Sequence, residues 1–468
     1  MNNGRYLLVL ILLLSLSGCY KEVISPLEYN LPEKLAPYET FFDLPTIQLR
    51  RENLMSKLPF NALVLIVTND TYLRNGNVNY DFRPASNFYY LTGFDEPNSV
   101  AVIRRNQMES NNIEFIMFVE ARDGGMAQWM GPVYGPEGAI EYFGADSAYT
   151  FEEFGSQIRS YLNSGKYQSL YTNLEENPSV CDSFYNAIID TPTIYDLSEL
   201  TYDLRMIKSE IEINALRQAV NVSAQAFSEA AKKIKHGVYE YEVEATLDYI
   251  LGLNGCPRTA FPTIVASGPN INILHYQANQ RQMLGGELVM IDFGAEYGYY
   301  AADITRTFPV NGKFSPQQAN VYNIVLEAQR AAIQGAAPGV NYYDLYFMVI
   351  DFIVEQLLAK GIVYGEKSQI LSSGVYRQYI PAGLAHCIGL DVHDPFPQSM
   401  PGEKILQENM VLAFEPHIYL YEGDQTVNPE YWNISARIED DILITSSGYE
   451  ILSNNLPTDI SALEQLMK

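Results

Sequence analysis

An aspartate, Asp292, ends the apolar run Leu288-Val289-Met290-Ile291, and a second, Asp303, follows eleven residues later. A buried carboxylate is costly unless it is paired or bound to a metal. Two close together repel, so one should stay protonated. Gly294, Tyr297 and Gly298 suit a turn between them. A hairpin centred on Tyr297-Gly298 is expected to set the two carboxylates directly opposite each other, on one face. A divalent cation would turn that repulsion into a ligand pair. Two solvated acids on an exposed hairpin are the alternative, but Ile291, Phe293, Ala302 and Ile304 around them have the character of a core.

Three more stretches carry the same chemistry. Residues 381–394 read PAGLAHCIGLDVHD and hold His386 and His393, two of only five histidines in the chain. AFEPHI (413–418) puts Glu415 at the end of an apolar strand, and RIEDDILI (437–444) puts Glu439 at the start of another. Taken singly, each reads as a core polar group satisfied by hydrogen bonds. Together they offer four carboxylates and one imidazole. That donor set suits two hard or borderline divalent ions, Mn²⁺ best, with Zn²⁺ or Co²⁺ less well matched. A soft-metal site would use thiolates. Cys181, Cys256 and Cys387 have no close zinc-type or redox-type spacing and are expected to be structural.

The elements that must position these groups fall in two regions. Residues 46–195 alternate strands (62–68, 99–104, 114–120) with helical patterns (150–164, 178–190), which predicts an α/β domain. Residues 196–468 carry long helical patterns at 209–235, 239–254, 316–335 and 344–360. Strand patterns lie at 264–267, 286–294, 299–310, 410–421 and 434–445, several joined by short turns. Pairing should be mainly antiparallel, giving an α+β domain.

The 468 residues carry a formal net charge of −26, and 47% are hydrophobic. That is an ordinary globular composition with an acidic balance. It argues against nucleic acid as a partner and against docking on anionic lipid through a basic face. The N-terminus, MNNGRYLLVLILLLSLSGCYKE, has an apolar run too short for a comfortable membrane span. It ends in Leu16-Ser17-Gly18-Cys19. This resembles a bacterial lipoprotein signal over residues 1–18, with Cys19 as the acylated first residue and a proline-rich tether over 19–45. An uncleaved anchor helix is the alternative. The expected location is the bacterial cell envelope, periplasmic or surface-exposed.

The ordered set Asp292, Asp303, His386, Glu415 and Glu439 resembles the ligands of metallopeptidases with the pita-bread fold. The surrounding stretches are similar to the Xaa-Pro aminopeptidase (aminopeptidase P) and prolidase branch: VASGPNINILHY (265–276), IDFGAEYGYYAADITRTFPVNGKFSPQQ (291–318), GLDVHD (389–394), FEPHIY (414–419) and RIEDDILIT (437–445). In the first region SNFYYLTGFDEPNSV (86–100) and AQWMGP (127–132) match too, so the similarity spans about 45–455. It implies a creatinase-like N-terminal α/β domain followed by a pita-bread catalytic domain.

It also implies roles. Asp292 would chelate one of two ions, Asp303 and Glu439 would bridge both, and His386 and Glu415 would complete the second. His393 would stabilise the oxyanion, Glu415 would move a proton to the prolyl nitrogen, and His275 would lie near the proline. Arg437 would orient carboxylates, and Trp129 would line a neighbouring subunit's pocket in a homodimer or homotetramer. The substrates implied are peptides with proline in second position. A prolidase restricted to Xaa-Pro dipeptides is one alternative, and a peptide-binding protein that kept the fold without turnover is another. Two positions depart from the family pattern. Ala382 stands where a histidine is usual, and His417 stands where a glycine is usual.

Overall fold

The computed structural model describes residues 43–105, 112–122, 131–173, 193–396 and 404–468. Cys19, Trp129, Cys181 and the helix expected at 178–190 lie outside them. Helix α1 (Leu44–Ser56) starts on Asp43, whose carboxylate accepts from the Thr46 N–H, with Pro45 in the first turn. Strand β1 (Ala62–Val67) is buried along its whole length. After a small hairpin, β2 (Leu73–Asn75) and β3 (Val78–Asn79), come α2 (Ser86–Thr92), β4 (Val100–Arg105), β5 (Ile113–Val119) and α3 (Gly135–Glu141). Then follow β6 (Ser147–Thr150), α4 (Phe154–Asn163), β7 (Ser169–Thr172) and β8 (Thr193–Asp196). The strands form one mixed sheet in the order β6-β5-β4-β1-β7-β8.

The unbroken apolar run of β1 reflects burial on both faces. Leu63, Leu65 and Val67 pack with Phe154, Ile158 and Leu162 of α4. Ala62, Val64 and Ile66 face the other way, into a core that holds Leu54 of α1 and Phe88 of α2 and continues into the second domain. The two domains therefore share one hydrophobic interior.

The second domain opens with α5 (Ser198–Met206), α6 (Glu210–Ala231) and α7 (Glu240–Leu253). A capping box between Ser209 and Glu212 starts α6. Strands β9 (Arg258–Thr259), β10 (Ile264–Ser267), β11 (Leu288–Phe293), β12 (Ala295–Tyr297), β13 (Tyr300–Ala301) and β14 (Ile304–Pro309) follow. Helices α8 (Pro316–Gly335), α9 (Tyr342–Ala359) and α10 (Lys367–Ser373) lead to β15 (Ala385–Cys387), β16 (Val411–Phe414), β17 (His417–Ile418), β18 (Ala436–Arg437), β19 (Asp440–Thr445) and β20 (Gly448–Ile451), and α11 (Ile460–Leu466) ends the fold. Every ladder of this domain among the described residues is antiparallel, as expected.

The long strands expected around the acids are interrupted. β11 pairs with β14 up to Phe293↔Ile304, and the same two chain segments resume pairing as β12 and β13 at Glu296↔Ala301. β16 pairs with β19 up to Phe414↔Asp440, and pairing resumes in β17 and β18 at His417↔Arg437. Asp303 lies in the first break, and Glu415 and Glu439 lie in the second. The backbone groups freed there reach across to the other hairpin. The Asp303 N–H donates to Asp441 Oδ2 at 3.1 Å, and the Glu439 N–H to the Thr305 carbonyl at 3.1 Å. The breaks are thus the places where the two hairpins are tied together.

The expectation that Asp292 and Asp303 face each other directly is corrected by this register. Asp292 is opposite Thr305. The turn sits at Gly298-Tyr299, both with positive φ (56° and 70°), as a type I′ turn requires, and not at Tyr297-Gly298. The acids are diagonal neighbours on one face instead, two residues out of register. Gly294 makes the break possible, because a Cβ there would lie 1.6 Å from the Ala302 carbonyl oxygen.

Candidate active site

Five side chains from both hairpins and β15 converge. Asp292, Asp303 and Glu439 offer carboxylate oxygens that all lie within 4.8 Å of one another, and a His386 ring nitrogen lies equally close to oxygens of Glu415 and Glu439. His386 Nε2 is 3.5 Å from Asp303 Oδ2 and 3.8 Å from Glu439 Oε1. His386 Nδ1 is 3.0 Å from the Cys387 carbonyl, which leaves Nε2 facing the acids. Burial, then the neighbouring His393, lowers its pKa to about 4, so the imidazole is neutral and its lone pair is free to ligate.

The acids are charge-deficient. Burial pushes Asp303 well above the usual carboxylate range, and Glu439 and Asp292 push it further. Glu439 is raised likewise by burial and then by Asp292 and Glu415. Burial lifts Glu415 to about 7 against the pull of Arg437, with Asp292 adding to the rise. Among the described residues, Arg437 is the one arginine or lysine paired with any of these carboxylates, through Asp292. Asp292 Oδ1 and Asp303 Oδ1 are buried and take no hydrogen bond from any described residue. Buried carboxylate oxygens without donors are what a cation would satisfy. The donor set, four carboxylates and one neutral imidazole, fits a pair of divalent ions.

Around this set sits a network that sequence inspection did not single out. Arg437 Nε donates to Thr305 Oγ1 at 3.1 Å, and the Thr305 hydroxyl donates to Glu439 Oε2 at 2.8 Å. Arg437 Nη1 donates to the Tyr419 hydroxyl at 3.1 Å. One guanidinium therefore orients ligands from both hairpins. The available signal was the alternation Asp303, Thr305, Thr307, which puts three polar residues on one face of the strand.

Of the remaining expected residues, His393 and His275 are exposed and His417 is buried. The His393 ring is exposed and meets His386 edge to face, with centroids 4.4 Å apart. It forms a further metal-ligand-spaced group with Asp303 and His386. Burial and then His275 lower its pKa, which places the His275 imidazole in its electrostatic neighbourhood. His275 itself is exposed on the loop after β10. His417 points inward: it is buried, Nδ1 is 2.8 Å from the Glu415 carbonyl, and Nε2 accepts from the Ala382 N–H at 3.1 Å. Both ring nitrogens are engaged by backbone, so His417 joins the two departing positions to each other. Cys256 and Cys387 are free and buried, with thiols raised to about 11 and about 12 by burial.

Residues 214–446 match the family described as metallopeptidase family M24, and residues 47–171 match the aminopeptidase P N-terminal domain. The Xaa-Pro aminopeptidase of Escherichia coli (strain K12) is 33% identical over 432 residues, which span 90% of this chain and 97% of that protein. The Xaa-Pro aminopeptidase of Haemophilus influenzae is 34% identical, spanning 89% and 96%. Among solved structures, Pseudomonas aeruginosa aminopeptidase PepP superposes with a TM-score of 0.86 at 32% identity, covering 91% of this chain and 98% of the other. With its two-domain fold and its cluster of acids around His386, the chain belongs to metallopeptidase family M24, in the aminopeptidase P branch.

Proposed function

We propose that this protein is a Xaa-Pro aminopeptidase that releases the N-terminal residue from peptides with proline in second position, using two manganese ions. The single observation that carries the reading is the convergence of Asp292, Asp303, His386, Glu415 and Glu439 with unsatisfied buried oxygens, in a chain one-third identical to Xaa-Pro aminopeptidases along nearly its whole length. Manganese is assigned because the donors are mostly hard oxygens. Asp292, Asp303, His386, Glu415 and Glu439 would hold a pair of divalent ions, which would supply a water activated near neutral pH and a Lewis acid for the scissile carbonyl.

The chain's own groups supply the rest. Arg437 and Thr305 hold Asp292 and Glu439 in their ligating orientation. Glu415 takes a proton on its carboxylate and returns it to the departing prolyl nitrogen. His393, at the open edge, donates to the oxygen on which negative charge develops. His275 stands on the proline side of the same opening. The test is hydrolysis of Ala-Pro-Ala and Ala-Pro by the manganese-loaded protein. Cleavage of both is expected. Cleavage of Ala-Pro alone would make it a prolidase, and no cleavage with two ions bound would make it a peptide-binding protein.

The N-terminal sequence supports an envelope location. Acylation of Cys19 tethers the catalytic body to a bacterial membrane through residues 19–45. No helix of the described residues is long and apolar enough to cross a membrane. Cys19→Ala should move the protein from the membrane to the soluble fraction; unchanged membrane retention would refute the anchor. Trp129 contributes to a partner subunit's pocket in a homodimer or homotetramer. Trp129→Ala should raise KM only in the oligomer, and a monomer with full activity would contradict this role.

A further inference from the structure

The loop that carries His393 is fastened by buried charges that the catalytic reading does not use. Asp394, next in sequence, is buried between two cations. Its Oδ1 pairs with Arg205 of α5, and its Oδ2 lies 3.1 Å from Lys208 Nζ. The same Arg205 Nη2 donates to Asp391 Oδ2 at 2.5 Å, and Arg205 Nη1 donates to Asn87 Oδ1 at 2.9 Å. Ser86 Oγ donates to Asp391 Oδ1 at 2.5 Å, and Arg83 Nη2 to the Leu390 carbonyl at 2.5 Å. Arg83, Ser86 and Asn87 belong to the N-terminal domain. Two carboxylates therefore face Arg205 and Lys208, and both cations have almost no solvent contact.

The fit of the loop is tight. A Cβ on Gly389 would come within 2.4 Å of Asp394 Oδ2. The Asp394 N–H closes the loop on the Cys387 carbonyl at 2.9 Å, directly beside the ligand His386. Between these fastened ends, Val392 and His393 are carried out toward the opening, where the His393 ring rests against His386. Burying three charges, those of Arg205, Lys208 and Asp394, is expensive, and such clusters often stabilise a fold less than apolar packing would. What this cluster does supply is a single position for the loop, referenced to the N-terminal domain.

We propose that Asp394 and Asp391, held by Arg205 and Lys208, are positioning residues for His393, and that through them the N-terminal domain sets the oxyanion-side imidazole. This rests on the aminopeptidase reading and deepens it. Orienting partners of this kind are worth about 10–100-fold. Asp394→Asn would leave two buried cations underpaired and can fail to fold. Asp391→Ala is the gentler variant, because Asp391 is 40% exposed and Asp394 still pairs with both cations. In the manganese-loaded full chain, Asp391→Ala should lower kcat about tenfold with KM little changed and two ions still bound. In a His393→Ala background the same substitution should cost nothing further. Its crystal structure should show the His393 ring moved off its edge contact with His386.

An Asp391→Ala enzyme with wild-type kcat and an unmoved His393 would overturn the proposal. So would a loss that adds in full to that of His393→Ala. The failure of the aminopeptidase reading looks different. There the wild-type chain does not cleave Ala-Pro-Ala, and the ring position in the crystal still decides whether the clamp exists.

Discussion

Arg437 on β18 and Asp292 on β11 form a buried ion pair that joins the two hairpins at the centre of the candidate site. The guanidinium also reaches Thr305 and Tyr419, so its flat fork holds three groups at fixed angles. A lysine would keep the charge and lose that geometry. Arg437→Lys should lower kcat/KM and manganese affinity by about 10–100-fold while the protein stays folded. Calorimetric titration with manganese and circular dichroism together check this, and unchanged affinity would remove Arg437 from any orienting role.

Asp303 loses heavily without a cation, since burial and four acidic neighbours, Glu439, Asp292, Asp441 and Glu415, all oppose its charge. As a bridging ligand it should be indispensable. Asp303→Ala should abolish hydrolysis of Ala-Pro-Ala and lower bound metal below two per chain, read by elemental analysis after dialysis. Full activity in that variant would refute the bridging role.

Glu415 is expected to combine ligation with proton transfer. Glu415→Gln keeps the size and one ligating oxygen but cannot carry the proton. Its kcat should fall by about 100-fold or more, with a smaller loss of metal. Equal losses in both would leave it a ligand only.

The raised carboxyl pKa values set the pH dependence of the metal-free protein. A carboxyl whose folded pKa lies above its unfolded value contributes stability that is complete below the unfolded value and is lost as pH rises through the folded one. His386 and His417, both near 4, act in the opposite sense, but only below the ordinary histidine range. Above about pH 6.5 the histidines no longer oppose Glu415, at about 7, and Asp303, Glu439 and Asp441 are raised in the same direction. The metal-free protein should therefore lose stability between pH 6.5 and 8, by up to about 1.4 kcal/mol per pH unit for each titrating carboxyl. Manganese should flatten most of the slope, because the ligands then bind the ion in their charged form. Urea midpoints with and without metal check this, and a rising midpoint in the metal-free protein would contradict it.

Gly294 lies where β11 gives way to β12, and a methyl group there meets backbone that cannot yield. Gly294→Ala should destabilise the fold by about 3 kcal/mol, read from the denaturation midpoint of the metal-free protein. An unchanged midpoint would mean that the ladder break is dispensable.

The residues that mark the site were legible because their chemistry contradicts their surroundings. Carboxylates at the ends of apolar strands need a reason, and few reasons gather four of them beside one histidine. Asp292 and Asp303 were rightly assigned to one face, yet their register was off by two. Turn position depends on which residues accept positive φ, and Tyr299 does so without any sign in its type. The ladder breaks were missed for a related reason. An acid inside an apolar run looks the same whether the strand continues through it or stops, and only the docked second hairpin, taking the freed N–H groups, decides. Thr305 and Tyr419 were passed over because a hydroxyl in a strand is ordinary until its partner is known. His417 and Ala382 stood out only as departures, and their connection through one hydrogen bond needed coordinates.

The most direct test of the whole account is anomalous diffraction from crystals of the manganese-loaded protein. Two peaks about 3.5–4 Å apart, between Asp292 and Asp303 on one side and His386, Glu415 and Glu439 on the other, are the predicted result. A single peak, or peaks away from these five side chains, would contradict it.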